Sequence, residues 1–210
     1  GSCMFSAKHR KLMDGVELAD SVCWDSHKMM GLPLVCSAFL IKQPELLRKI
    51  CSHGNVAHYL FLGDAKDIDL GRISLQCGRR NDALKLFLAW REKGDAGWAR
   101  LVENYIELAD YLQSKVEAHT NLEMMSSRVW SNVCIRYTAD GIDHNGVNKT
   151  LRERLVKTGN FMISQSNIGE HIILRPVISN PSVSKETIDD LVKEIADIGD
   201  DIVRGIPFSN

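Results

Sequence analysis

Between residues 101 and 116 apolar side chains return at three- and four-residue intervals: Leu101, Val102, Tyr105, Leu108, Ala109, Leu112 and Val116. That spacing places them on one stripe of an α-helix. We read it as a helix joining a larger domain, residues 1–97, to a smaller one, residues 98–210. Upstream, the short apolar runs Met4-Phe5, Val22-Cys23-Trp24 and 34–41 are flanked by Gly and Pro. They read as strands buried on both faces of a mixed or parallel sheet. Residues 9–18 are polar and read as a short helix or turn. Pro44 opens a helix, being tolerated in a first turn. Residues 51–77 carry Gly54, Gly63 and Gly71 and read as a long irregular loop, a feature more often functional than idle. Asn81-Asp82 cap a further helix through Trp90, closed by Gly94.

Downstream the pattern alternates. Val133, Ile135 and Tyr137 form one face of a strand. Asn148 caps a helix running to Thr158, with Gly159 past its end. Residues 161–164 and 172–178 read as strands, and Pro176 places the second at an edge or a bulge. Ser184 caps a final helix that buries Ile188, Leu191, Val192, Ile195 and Ile198. Strands interleaved with helices make this half an α+β small domain.

The composition sets limits on partners. Hydrophobic residues make up 44% and charged residues 25%, as in ordinary globular proteins. A formal net charge of -1 gives no reason to expect nucleic acid or an anionic membrane as a partner. No run reaches the ~18 apolar residues that span a bilayer, and no secretory leader is visible. The six cysteines, at positions 3, 23, 36, 51, 77 and 134, include no C-x-x-C pair. Cys23, Cys36 and Cys134 lie in apolar runs and read as reduced, buried thiols of a cytoplasmic protein. The seven histidines show no metal-ligand spacing.

Chemistry concentrates in Asp25-Ser26-His27-Lys28, set between Val22-Cys23-Trp24 and Met29-Met30-Gly31-Leu32. A lysine at the end of a buried strand is desolvated, gives up part of its proton affinity and can condense with an aldehyde. A histidine directly before it can reach a phosphate. Each has a plainer reading: a snorkelling lysine and a satisfied core histidine. Arg175 ends the apolar segment Ile172-Ile173-Leu174. Its planar fork suits a carboxylate, and a structural salt bridge is the competing reading.

The segment Asp20-Ser21-Val22-Cys23-Trp24-Asp25-Ser26-His27-Lys28 resembles the lysine motif of the group II pyridoxal phosphate decarboxylases, which include glutamate and cysteine sulfinate decarboxylases. The likeness continues in order. Pro33-Leu34-Val35-Cys36-Ser37-Ala38-Phe39-Leu40 resembles the strand after the lysine. Tyr59-Leu60-Phe61 and Gln76-Cys77-Gly78-Arg79-Arg80 resemble the entrance and exit of the family's mobile loop. Leu174-Arg175-Pro176-Val177-Ile178-Ser179-Asn180-Pro181 resembles its carboxylate-binding segment. The resemblance implies an aspartate-aminotransferase-like α/β fold whose large domain is incomplete here, followed by the α+β small domain. It implies pyridoxal 5'-phosphate as cofactor, Lys28 as its covalent anchor, His27 as a phosphate contact and Arg175 as the carboxylate ligand. It further implies a small amino-acid substrate of acidic type and a homodimer for the full-length protein.

Two departures from the family pattern stand out. Ser26 occupies a position where the family usually has proline, and a serine hydroxyl can form a similar turn. The segment between residues 59 and 76 is about three residues shorter than in animal glutamate decarboxylases. Those enzymes carry a tyrosine there that protonates the intermediate. Gly63-Asp64-Ala65-Lys66-Asp67-Ile68-Asp69 has none, leaving His58 as a candidate, transamination or oxidative deamination as competing outcomes, and a non-catalytic or split-subunit homologue that needs a partner chain as a competing reading. The resemblance also places the aspartate that pairs with the pyridine nitrogen ahead of residue 1. The 210-residue species is therefore expected to be a C-terminal half with very low activity, and to associate or aggregate through exposed apolar surface.

Overall fold

The computed structural model describes residues 1–51, 70–76 and 78–208. Tyr59, His58 and the Gly63-to-Asp69 stretch lie outside the described residues, as does Cys77. The chain divides into two compact units, Gly1–Ala99 and Arg100–Asn210.

In the first unit, short 3-10 turns at Ser2–Phe5, Arg10–Met13 and Val16–Leu18 lead into strand β1, Ser21–Asp25. It pairs antiparallel with β2, Ser37–Ile41, in a register that sets Cys23 opposite Phe39. Helix α1, Pro44–Cys51, follows. Helix α2 begins at Asp82 and runs to Glu117, interrupted at Gly94 by a left-handed φ of 61°. Glycine alone takes that conformation without strain. The expected stop at Gly94 is thus a break rather than an end. Trp90 Nε1 donates across it to Asp95 Oδ1 at 2.9 Å.

Three expectations for this unit fail. Met4-Phe5 forms a 3-10 turn, not a strand. The lysine-bearing strand is not buried on both faces in a mixed or parallel sheet. It belongs to a two-stranded antiparallel ribbon, whose residues are exposed or only partly buried. Without neighbouring strands, a ribbon has no layer to cover either face. Cys23 is accordingly exposed, while Cys36 and Cys134 are buried as expected. The unit's interior is aromatic instead. Phe5 meets Trp24 at 6.0 Å and Trp90 at 5.2 Å, and Trp90 meets the fully buried Trp98 at 6.3 Å.

The second unit is a four-stranded antiparallel sheet in the order β3-β4-β6-β5, comprising Leu122–Met124, Ile135–Tyr137, His171–Arg175 and Ser164–Ile168. Helices α3, His144–Thr158, and α4, Lys185–Val203, pack on it and on each other. Val133, Ile135 and Tyr137 are all buried, as their alternation predicts. Ser184 caps α4 in a reciprocal capping box with Thr187, and Ile188, Leu191, Val192, Ile195 and Ile198 are buried.

Here too the sequence reading is corrected in places. Asp143, not Asn148, caps α3, accepting from the Asn145 N–H. Asn148 lies inside the helix, fully buried. It accepts from Tyr137 N at 2.9 Å and donates to the Tyr137 and His144 carbonyls at 2.9 and 2.8 Å, stitching α3 to β4. Strand β5 starts at Ser164, where residues 161–164 were expected. Strand β6 ends at Arg175, and pairing resumes past Pro176 in an isolated bridge between Val177 and Asn132, so the proline breaks the strand as a bulge would, although β6 itself is an interior strand. Gly159, with φ 80°, ends α3 as expected.

Candidate active site

The Asp25-Ser26-His27-Lys28 segment leaves β1 as a turn. Lys28 N–H donates to the Asp25 carbonyl at 3.2 Å, and Gly31 N–H to the Lys28 carbonyl at 3.3 Å. The turn is fastened to the start of β2 by three links to Cys36. Its carbonyl accepts from the His27 N–H at 3.2 Å and from the Ser26 hydroxyl at 2.8 Å. Its N–H donates to His27 Nδ1 at 3.2 Å. Ser26, only 1% exposed, therefore reaches ten residues along the chain rather than closing its own turn.

Lys28 is not buried among apolar neighbours, contrary to the sequence reading. Its side chain is 68% exposed, and Nζ lies 3.0 Å from Asp25 Oδ2. The cause is the ribbon architecture, which leaves the end of β1 open on the lysine's side. The Ser37 hydroxyl, 2.6 Å away, and then the Lys28 ammonium hold the Asp25 carboxyl below the usual carboxylate range. Sequence reasoning gave Asp25 no role, although its place three residues before Lys28 in a turn was a usable sign. The part played by Cys36 rests on backbone atoms and left no sign in the residue types.

His27 is half-buried and is engaged only at Nδ1. No partner for Nε2 is found among the described residues. Arg175 sits at the exposed end of β6. Its guanidinium has no carboxylate within ion-pair distance among the described residues, so the competing salt-bridge reading has no support there. His27 and Lys28 belong to the first unit and Arg175 to the second.

A cavity of about 640 Å³ in the first unit opens between the Ser26–Ser37 region and the start of α2, with Arg79, Arg80 and Asn81 in its wall. Neither His27 nor Lys28 lines it. It therefore does not define the lysine site, although Ser26 lines it together with Arg79 and Arg80.

A primary amine and an imidazole with one unengaged nitrogen, on a single anchored turn, can hold a molecule bearing both an aldehyde and a phosphate. The residues present thus fit pyridoxal phosphate at those two groups. Comparison with known proteins points the same way. Residues 1–138 match the model of the pyridoxal-dependent decarboxylase conserved domain. The chain is 35% identical over 217 aligned residues to the cysteine sulfinic acid decarboxylase of Mus musculus, covering 96% of this chain and 44% of that protein. It is 33% identical to the acidic amino acid decarboxylase GADL1 of Bos taurus, covering 96% of this chain and 42% of that one. The crystal structure of mouse CSAD in apo form superposes with a TM-score of 0.84 at 31% identity, over 94% of this chain and 43% of that one. Oryza sativa TDC with PLP and tryptamine gives a TM-score of 0.86 at 23% identity, over 96% of this chain and 43% of that one, a likeness of fold. The chain thus spans less than half the length of these relatives. Its sequence and its fold agree, and the chain belongs to the pyridoxal-dependent decarboxylase family.

Proposed function

We propose that this chain supplies the lysine-bearing part of a pyridoxal-phosphate-dependent carboxy-lyase acting on a small acidic amino acid such as glutamate, aspartate or cysteine sulfinate. The observation that carries the reading is the anchored turn: an accessible Lys28 amine directly after a His27 imidazole whose Nε2 has no partner among the described residues. Relatives named for acidic substrates support the substrate class. Pyridoxal phosphate, when bound, would supply the electron sink for the substrate bond that breaks. Lys28 would hold the cofactor's aldehyde end, and His27 Nε2 would hold its phosphate. Arg175, with no carboxylate within ion-pair distance among the described residues, takes the substrate α-carboxylate by paired charge-assisted hydrogen bonds. Asp25 keeps the Lys28 side chain in its turn through their ion pair.

In this reading residues 1–97 belong to the cofactor-binding large domain and 98–210 to the linking helix and small domain. The full site is assembled with the rest of a longer polypeptide, as a homodimer, in the cytoplasm. The free thiols of the described cysteines suit that compartment, and no helix among the described residues is long and apolar enough to cross a membrane. A second reading has its own observation. Without a tyrosine in 63–69, protonation can fall at a different carbon and give transamination or oxidative deamination.

The test is addition of pyridoxal phosphate, borohydride reduction and peptide mapping. Label confined to Lys28, and lost in Lys28→Ala, is expected. Label spread over surface lysines would sink the assignment. Product analysis, amine plus carbon dioxide against ketone or aldehyde, separates the two outcomes.

A further inference from the structure

Around Cys36 two arrangements of one proton compete. His27 Nδ1 lies 3.0 Å from the Cys36 carbonyl oxygen and 3.2 Å from the Cys36 nitrogen. A ring N–H at Nδ1 would donate to the oxygen. A bare Nδ1 would accept from the N–H. In neutral histidine the first choice leaves Nε2 a lone pair and the second makes Nε2 the donor.

The carbonyl oxygen has two lone pairs, and two donors already take them: the His27 N–H at 3.2 Å and the Ser26 hydroxyl at 2.8 Å. Ser37, 3.4 Å from Nδ1, gives its hydroxyl proton to Asp25 at 2.6 Å and so does not supply one to the ring. We propose that Ser26 is a positioning residue: by filling the Cys36 carbonyl it fixes His27 in the tautomer whose Nε2 carries the proton, ready to donate to a phosphate. This deepens, and rests on, the assignment of His27 as the phosphate contact. A proline at this position has no hydroxyl and cannot act in this way, so the device belongs to the serine this chain carries.

The test uses the full chain with 15N-labelled histidine, at a pH about two units above the ordinary imidazole value of ~6.5. Long-range proton–nitrogen spectra report the tautomer, with the His27 signals identified by their loss in His27→Gln. The parent chain is expected to show the Nε2–H form. Ser26→Ala should move His27 substantially to the Nδ1–H form and weaken inorganic phosphate binding about tenfold, the loss of one good hydrogen bond to a charged group. Ser26→Thr, which keeps the hydroxyl, should restore both. Ser26→Cys, nearly isosteric with a weak donor, should fall between and serves if Ser26→Ala does not fold. Retention of the Nε2–H form in Ser26→Ala, or unchanged phosphate affinity despite a changed tautomer, overturns the proposal. Because the tautomer is read without cofactor, failure to label Lys28 with pyridoxal phosphate would count against the decarboxylase reading separately.

Discussion

The two units solve the problem of burial differently. In the second, four paired strands and two helices enclose Ile135, Tyr137, Leu151, Leu155, Leu174 and Ile195, none more than 1% exposed. In the first, a two-stranded ribbon and a helix start leave Phe39 54%, Leu40 59%, Phe87 59% and Leu88 57% exposed. A ribbon alone is marginal in water, whereas a sheet with a covered face holds itself together. The lesson is that the proposed catalytic turn sits on the less self-sufficient unit. Its stability depends on backbone links such as those to Cys36 and on an aromatic cluster rather than on an enclosed core. That unevenness fits the proposal that the first unit is part of a larger domain.

The sharpest way to break this comparison is a pair of truncations. Ile195→Ala should cost about 2–5 kcal/mol, read as a lower urea midpoint in the fluorescence of Trp130, the second unit's tryptophan. Phe87→Ser in the first unit should cost under about 0.5 kcal/mol and lower the mass seen by light scattering. Equal costs would erase the distinction between the units. Next in size is Gly199→Ala. An added Cβ there would clash with the edge of the Tyr137 ring. The clash should cost about 1–3 kcal/mol, offset by up to ~1 kcal/mol of helix propensity. A stabilised variant would mean that the second unit's core is looser than described. Smaller still is Ser184→Ala, which removes the α4 cap and should cost about 0.5–2 kcal/mol in the same unfolding measurement.

Alkaline pH sharpens the comparison without mutation. Burial, and then the hydrogen bond to Asp200 at 2.6 Å, push the Tyr137 phenol up to about 12. A raised phenol favours the folded state fully below its ordinary value of ~10, and that contribution disappears as pH climbs through about 12. The Trp130 unfolding midpoint should therefore fall above pH ~10. Tyr137→Phe should flatten the fall, with a residual slope from Tyr105, which burial also raises to about 12. Asp25 works in the opposite direction. Its depressed carboxyl stabilises the turn above the ordinary carboxylate range, and that support is lost as pH falls through its lowered folded value.

Features set by near neighbours were readable in the sequence. The α4 stripe, the Ser184 cap, the Pro44 start and the Gly159 stop all follow from three- and four-residue spacing and from capping chemistry, which act within a turn or two. The Asp25-Ser26-His27-Lys28 motif and the family it resembles were also there to be read. The exposure of Lys28, the interior place of β6, the burial of Asn148 and the grip of Cys36 on the turn were not. Each depends on which distant segment lies alongside, and a strand's pattern does not say whether a third strand will cover it. The sequence by itself determined the helices, their ends and the chemical groups of the turn. Tertiary structure alone decided which of those groups are buried, paired or open, because burial and long-range hydrogen bonds are properties of contacts between residues far apart in the chain.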